Sequence, residues 1–230
     1  MLIAEQLFLL TTNPSTGKPY MSSTLMHCLS ASLISELLLN GNLELNKKKV
    51  SLIQSESTDP LLQETLTLIA NKPNRSIDYW VTQLLTSHKN LHNKIGDKLS
   101  DRGVVSKQEK KILGLFPSVA FPFEKGDLSD VVKDTFNIVL SKKQSQTELN
   151  SHEEKTIVLM SLLQGSGLIK NVYDNRSEAR FVEKEIKRIT KDLPVTQAVK
   201  KVMDVVQLDL IVAATTASVA ASSDSSSSSD

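Results

Sequence analysis

Lys89, His92, Lys94 and Lys98 place four basic side chains in one short stretch just before Gly103. Ammonium groups so spaced can meet the phosphate of an anionic head group, since charge-assisted hydrogen bonds to phosphate are short and strong. The same residues would also suit a solvated helix face. A second basic set, Arg176, Arg180, Lys184 and Arg188, recurs every fourth residue and lines one ridge of a helix. That ridge could face an anionic bilayer. Glu178, Glu183 and Glu185 are interleaved with it, so intrahelical ion pairs are its expected use. Tyr20 and Met21, directly after Pro19, could dip into a bilayer interface or pack beneath their own loop.

Catalysis finds no support. No glycine-rich phosphate loop follows a strand, and no serine or cysteine has a histidine partner by motif. His88 and His92 have the spacing of a helical metal pair, but the adjacent glutamate of a zinc hydrolase and a third ligand are both missing. Neither a metal nor a cofactor is expected. The single Cys28 sits among apolar residues as an inert buried thiol, excludes an intramolecular disulfide and fits a reducing compartment.

The 27 basic and 26 acidic residues leave a formal net charge of +1, which argues against strong chain-wide attraction to nucleic acid. Met1 to Leu10 is apolar but carries Glu5 and no basic n-region, and so reads as a short amphipathic helix, not a signal peptide. Val205 to Ala221 is interrupted by Gln207, Asp209, Thr215 and Thr216, a poor membrane span. A cytoplasmic protein that touches a membrane from its surface is expected.

The elements that carry these groups are mostly helices. Leu37, Leu99 and Leu163 each lie four positions before a glycine, at Gly41, Gly103 and Gly167. Leu43, Val105 and Ile169 follow two positions after. Glycine just past a helix is the usual left-handed cap, so three similar helix-to-strand units about 60 residues apart are expected. Leu2 to Leu10 reads as a helix. A loop of turn formers from Thr12 to Pro19 leads to a second helix, capped by Ser22 or Ser23 and carrying Leu25, Leu29, Leu33, Ile34 and Leu37. Leu43 to Leu45 and Val50 to Ile53 form a hairpin, and Asp59-Pro60 starts the next helix. Helices over 76–85, with Trp80 as core, and 89–102 follow. Val104 to Ser106 and Lys111 to Phe116 are read as a second hairpin with a lysine-rich turn. Further helices are expected over 127–141, 153–164 and 176–191, the last with Phe181, Val182, Ile186 and Ile189 inward, and a final one from Pro194. The expected fold is mainly α, a single compact helical domain over residues 1–221 with short β-hairpins. A disordered Ser/Asp tail follows over 222–230.

In that order, Ala4-Glu5-Gln6-Leu7-Phe8-Leu9-Leu10, Leu33-Ile34-Ser35-Glu36-Leu37 with Gly41-Asn42-Leu43, Thr58-Asp59-Pro60-Leu61-Leu62, Trp80 with Leu84, and Lys98-Leu99-Ser100-Asp101-Arg102-Gly103-Val104 resemble the Golgi phosphoprotein 3 family. The resemblance covers nearly the whole expected domain. It implies a compact helical fold and a non-enzymatic adaptor. Eukaryotic members bind phosphatidylinositol 4-phosphate at Golgi membranes and hold glycosyltransferases there, so anionic lipid and protein clients are the implied partners.

The resemblance also implies where a lipid site would lie. Eukaryotic members carry a tryptophan in the loop before the second helix and an arginine inside it; the matching positions are Met21 and Ser30. Two further arginines match Lys89 and His92, and Lys94 adds charge beside them. Lysine lacks the bidentate fork of arginine and histidine is mostly neutral at pH 7, which argues against selectivity for phosphatidylinositol 4-phosphate. The family's basic N-terminal arm is expected to be missing, because the chain starts at the domain. Eukaryotic relatives self-associate through the segment equivalent to the second hairpin. Here Ile112, Leu113, Leu115 and Phe116 offer more apolar surface than one hairpin face can bury, so a homo-oligomer is expected. The alternative is a soluble interaction module or a winged-helix-like nucleic-acid binder, whose turns Lys47 to Lys49 and Lys107 to Lys111 would contact phosphates. Near-zero net charge counts against that alternative.

Overall fold

The computed structural model describes residues 1–46, 49–112, 115–124, 129–173, 175–191, 201, 202 and 204. The elements in chain order are α1 (Ile3–Leu10), α2 (Leu25–Leu39), β1 (Leu43–Asn46), β2 (Lys49–Leu52), α3 (Pro60–Asn71), α4 (Ile77–Ser87), α5 (Leu91–Asp101), β3 (Gln108–Ile112), β4 (Phe116–Ala120), α6 (Ser129–Gln144), α7 (Ser151–Gly165), α8 (Ile169–Val172) and α9 (Arg176–Lys191). The fold is mainly α with two short antiparallel hairpins, β1–β2 and β3–β4. The expected tail over 222–230 and most of the helix from Pro194 lie outside the described residues.

Two helices have almost no polar side, and that decides the architecture. Twelve of the fifteen residues of α2 are buried, and ten of the fifteen in α7. Apart from the polar first turn of α7, neither keeps a continuous solvent face, so both sit inside. These two pack on each other and on α1, while α4 and α5 cover α2, and α6 and α9 cover α7. The covering helices show the one-sided pattern expected of them. In α5, Leu91, Ile95, Gly96 and Leu99 are buried, and in α4, Ile77, Trp80, Val81 and Leu84.

Asp59 caps α3 as expected, accepting from the Leu61 and Leu62 N–H groups at 3.0 and 3.3 Å, with Pro60 in the first turn. Ser22 and Ser23 do not cap α2. Its flanking residue is Thr24, whose side chain makes no cap hydrogen bond. Instead the Ser22 hydroxyl donates to the Ser166 carbonyl at 2.6 Å and Thr24 to the Gly165 carbonyl at 3.0 Å. The start of α2 therefore satisfies the orphan carbonyls at the end of α7.

All three glycine caps are present. Gly41, Gly103 and Gly167 have φ of 74°, 66° and 72°. Behind each, the next residue's N–H reaches the leucine five positions back, Asn42 to Leu37, Val104 to Leu99 and Leu168 to Leu163. This is the Schellman closure. Leu37, Leu99 and Leu163 are fully buried, as are Leu43, Val105 and Ile169 to within 3%.

Two parts of the repeat reading are corrected. After Gly167 the chain forms α8, not a strand. The second hairpin pairs Gln108–Ile112 with Phe116–Ala120, so Lys110 and Lys111 lie within β3 and not in a turn. Val105 makes only an isolated bridge with Phe123. The lysine run has the composition of a turn, yet Gln108, Glu109 and Lys110 are exposed along β3, and a solvated strand tolerates charge.

The first turn of α1 is buried, so its orphan N–H groups need internal acceptors. Glu5 accepts from the Leu2 N–H at 2.9 Å and Glu36 from the Ile3 N–H at 2.8 Å. These carboxylates are 1% and 2% exposed. Lys98 of α5 and Arg102, just past its end, reach Glu5 at 2.7 and 3.0 Å, and Lys155 of α7 reaches Glu36. Lys98 also binds Asp59, the cap of α3.

Burial alone would raise the Glu5 carboxyl, but Lys98, the Leu2 N–H and Arg102 together hold it below the ordinary carboxylate value. The folded protein therefore binds fewer protons at Glu5 than the unfolded chain. The resulting stabilisation is complete above the unfolded-state value and is lost as pH falls through the lowered folded one. Glu5→Gln should cost on the order of 3 kcal/mol at pH 7, because it leaves two cations facing a neutral amide. It should also flatten the acid limb of stability below about pH 5, as read by urea unfolding across pH. An unchanged acid limb would show that Glu5 does not govern it.

Candidate functional site

The loop before α2 is held by its own polar groups. The Asn13 side-chain carbonyl accepts from the Ser15 and Thr16 N–H groups at 3.1 and 2.9 Å, an Asx turn. Thr12 and Pro19 bridge antiparallel, and the Tyr20 N–H donates to Thr11 at 2.8 Å. The loop is then fastened to the segment after β4. The Phe121 N–H donates to the Gly17 carbonyl at 2.8 Å and the Phe123 N–H to Pro14 at 2.9 Å. A Cβ at Gly17 would lie 2.2 Å from the Pro122 nitrogen. Only glycine allows that approach.

Phe121 carries the connection onward. Its ring is fully buried, 5.7 Å from Phe8 and 6.1 Å from His92 between centroids. It lies so close to α5 that a Cβ at Gly96 would sit 2.5 Å from it. Loop and helix are thus packed on one ring. The loop ends with Tyr20 half-buried against the core and Met21 96% exposed. Of the apolar pair, Met21 points out and Tyr20 in.

The other expected positions are divided. Lys89 is exposed, and no acid among the described residues pairs with it. His92 is half-buried, with its ring 4.4 Å from that of Phe8. Burial pushes its imidazole below the ordinary histidine value, so it is neutral at pH 7. Lys94 binds Glu64 at 2.7 Å, and Lys98 belongs to the Glu5 cluster. Ser30 is fully buried in α2, with no hydrogen-bond partner for its hydroxyl among the described residues. Contact between Ser30 and a head group would require α2 to open.

His88 and His92 do not share a helix. Asn90, at φ 57°, separates α4 from α5, and the helix expected from Lys89 begins at Leu91. His88 sits at the end of α4, 3.0 Å from the Thr65 hydroxyl and 3.3 Å from Glu64. Among the described residues no group of three His, Cys, Asp or Glu side chains could hold a metal ion. No described helix is long and apolar enough to cross a membrane.

On the second hairpin, Ile112 and Phe116 are paired partners in the ladder. Leu115, in the turn, is 77% exposed, and Leu113 lies outside the described residues. Lys107 precedes β3 and binds Asp97 and Glu109 at 3.0 and 3.1 Å, and these acids raise its ammonium. Between the loop and this hairpin lies an open cleft of about 390 Å³ lined by Ser15, Thr16, Lys18, Gln108, Lys110, Ser118 and Ala120. The fastening of the loop through Gly17, Phe121 and Gly96 goes beyond what the sequence alone suggests. Gly17 among turn formers is the available signal, but nothing local names its partner 104 positions away.

The model of a family described as Golgi phosphoprotein 3 (GPP34) matches residues 3–206. No curated protein matches the chain.

Two glycine substitutions separate the kinds of constraint. Nothing lies within 4 Å of where a Cβ would stand on Gly103, so Gly103→Ala meets only the left-handed backbone and should cost about 1 kcal/mol. Gly17→Ala adds collision with the Phe121–Pro122 backbone and should cost about 3 kcal/mol or more. Chemical denaturation of both variants checks the order. Equal losses would mean the loop is not clamped.

Proposed function

Because the chain belongs to the Golgi phosphoprotein 3 family, we propose that it is a non-enzymatic peripheral membrane adaptor engaging anionic lipid head groups. The family match over residues 3–206 carries this reading. The exposed ends of the candidate site support it. Met21, on a braced loop, is an unattached apolar side chain of the kind that enters the interface between head groups and acyl chains. Lys89 supplies positive charge at the surface, and Lys94 lies beside it with its charge shared by Glu64.

Recognition is electrostatic and tolerant of head-group identity. Selectivity among phosphates needs several fixed donors converging on one group. Ser30 lies in the core, His92 is neutral and Lys94 is already paired, so this surface lacks such a constellation. The protein would reach its membrane from the cytoplasmic side, at the Golgi in a eukaryotic source. Protein clients would be held there as by other members. The winged-helix alternative has less support, since Lys107 is occupied by two acids.

Flotation with vesicles of varied head group tests the reading. Phosphatidylserine and phosphatidylinositol 4-phosphate vesicles should retain comparable protein at low salt. Retention should fade between roughly 50 and 300 mM salt as the Debye length shrinks. Lys89→Glu should weaken it by about 1–2 kcal/mol. Salt-resistant binding to phosphatidylinositol 4-phosphate alone would overturn the tolerance argued above.

The second hairpin is the proposed self-association surface, with Ile112, Leu113, Leu115 and Phe116 contributing. Leu115 supports this as a 77% exposed leucine at the hairpin turn, flanked in sequence by the apolar Leu113 and Phe116 that together would make a contiguous patch. Leu115→Asp should shift sedimentation from oligomer to monomer without changing the thermal midpoint. A wild-type protein that sediments as a monomer at all concentrations would rule it out.

A further inference from the structure

Helix α9 carries a surface that the lipid site does not include. Ala179, Val182, Ile186 and Ile189 are buried and define its inward stripe. At about 100° per residue, Arg176, Arg180, Lys184, Lys187 and Arg188 fall within an arc of about 120° on the opposite side. All five are exposed. The interleaved acids lie off this arc, toward the margins of the buried stripe, with Glu183 and Glu185 half-buried. The intrahelical pairing expected from the sequence is therefore reduced to Arg188 with Glu185, at 2.7 Å. Arg176, Arg180, Lys184 and Lys187 have no ion-pair partner among the described residues.

Phe181 adds the second observation. The sequence pattern places it inward, yet it is 53% exposed at the edge of the basic arc. At about 100° per residue it lies about 80° from Ile189, the nearest residue of the buried stripe, and so falls to one side. Like charges four residues apart disfavour an isolated helix. An external anionic surface removes that penalty.

We infer that the exposed face of α9 is a second membrane-contact surface, which lies flat on an anionic bilayer with Phe181 inserted at the head-group boundary. This rests on the membrane reading proposed above and adds the surface that determines orientation. The basic ridge from Arg176 to Arg188 is about 18 Å long, a straight and extended array that suits a plane of charges better than one compact head group. An aromatic residue flanking a cationic helix face is the arrangement of interfacial helices. A polynucleotide is the less suited occupant, because its phosphate backbone offers no apolar layer to receive the exposed Phe181 beside the basic arc.

The test uses the full chain and phosphatidylcholine vesicles with or without about 30% phosphatidylserine, where each basic residue near the surface contributes comparably. R180E/K184E changes two exposed, unpaired residues and should weaken partitioning onto the anionic vesicles about tenfold or more, with an unaltered melting curve. Phe181→Trp keeps the basic set intact. The introduced indole should shift its emission to the blue on anionic vesicles and be quenched by brominated acyl chains, above the constant background of buried Trp80. Undiminished partitioning of R180E/K184E, or an unshifted signal from the introduced indole on protein that floats, would overturn the inference and leave the membrane reading intact. Absence of wild-type binding would overturn both. Loss of binding to a DNA duplex by R180E/K184E, with full retention on vesicles, would assign the face to nucleic acid instead.

Discussion

The start of α1 has no water to bond to, and the rest of the fold is arranged around that fact. A helix N-terminus in the core brings unsatisfied N–H groups and the positive end of a dipole with it. Glu5 and Glu36 meet both needs, but two buried carboxylates would be untenable alone. Lys98 of α5, Arg102 at its C-terminal cap and Lys155 of α7 neutralise them, and Asp59 joins from the cap of α3. Three cations and three anions thus fix the relation of five helices. Such a cluster adds little net stability over an apolar core, but it tolerates few alternative arrangements.

Around that cluster the division between inner and covering helices follows from composition. α2 and, beyond its polar first turn, α7 are buried on nearly every side, so each needs neighbours all round. The helices that surround them contribute one stripe each and keep a solvent face for other uses. The groups proposed to contact a membrane or a second copy lie on those solvent faces and on the loops between. Met21, Lys89, Leu115 and the ridge of α9 are all of this kind, whereas Ser30, on the inner helix, is not.

What is legible in the sequence is what is local. The glycine caps with their leucines, the Asp59-Pro60 start, the β1–β2 hairpin and the bounds of α9 depend on residues within a few positions of one another, and the structure contains them all. The second hairpin is displaced from its expected register because lysines inside an exposed strand have the composition of a turn. Ser22 looks like a helix cap because its partner, Ser166, is 144 positions distant. The candidate site fails to cohere for the same reason. Whether Lys94 is free depends on Glu64 of α3, and whether His92 is wet depends on Phe8 and Phe121. Residue types announce a charge; only tertiary structure tells whether it is already answered.

The hydroxyls of Ser22 and Thr24, seated on the last carbonyls of α7, have a consequence for biosynthesis. The segment that bears Met21 leaves the ribosome early, but its lower fastening does not exist until Gly165 and Ser166 have followed. Phe121, which clamps the upper part of the loop, also arrives late. Contacts of such long range form slowly and last in a growing chain. The loop that bears Met21 is therefore among the final parts to take shape, and a nascent or truncated protein would be unable to present it.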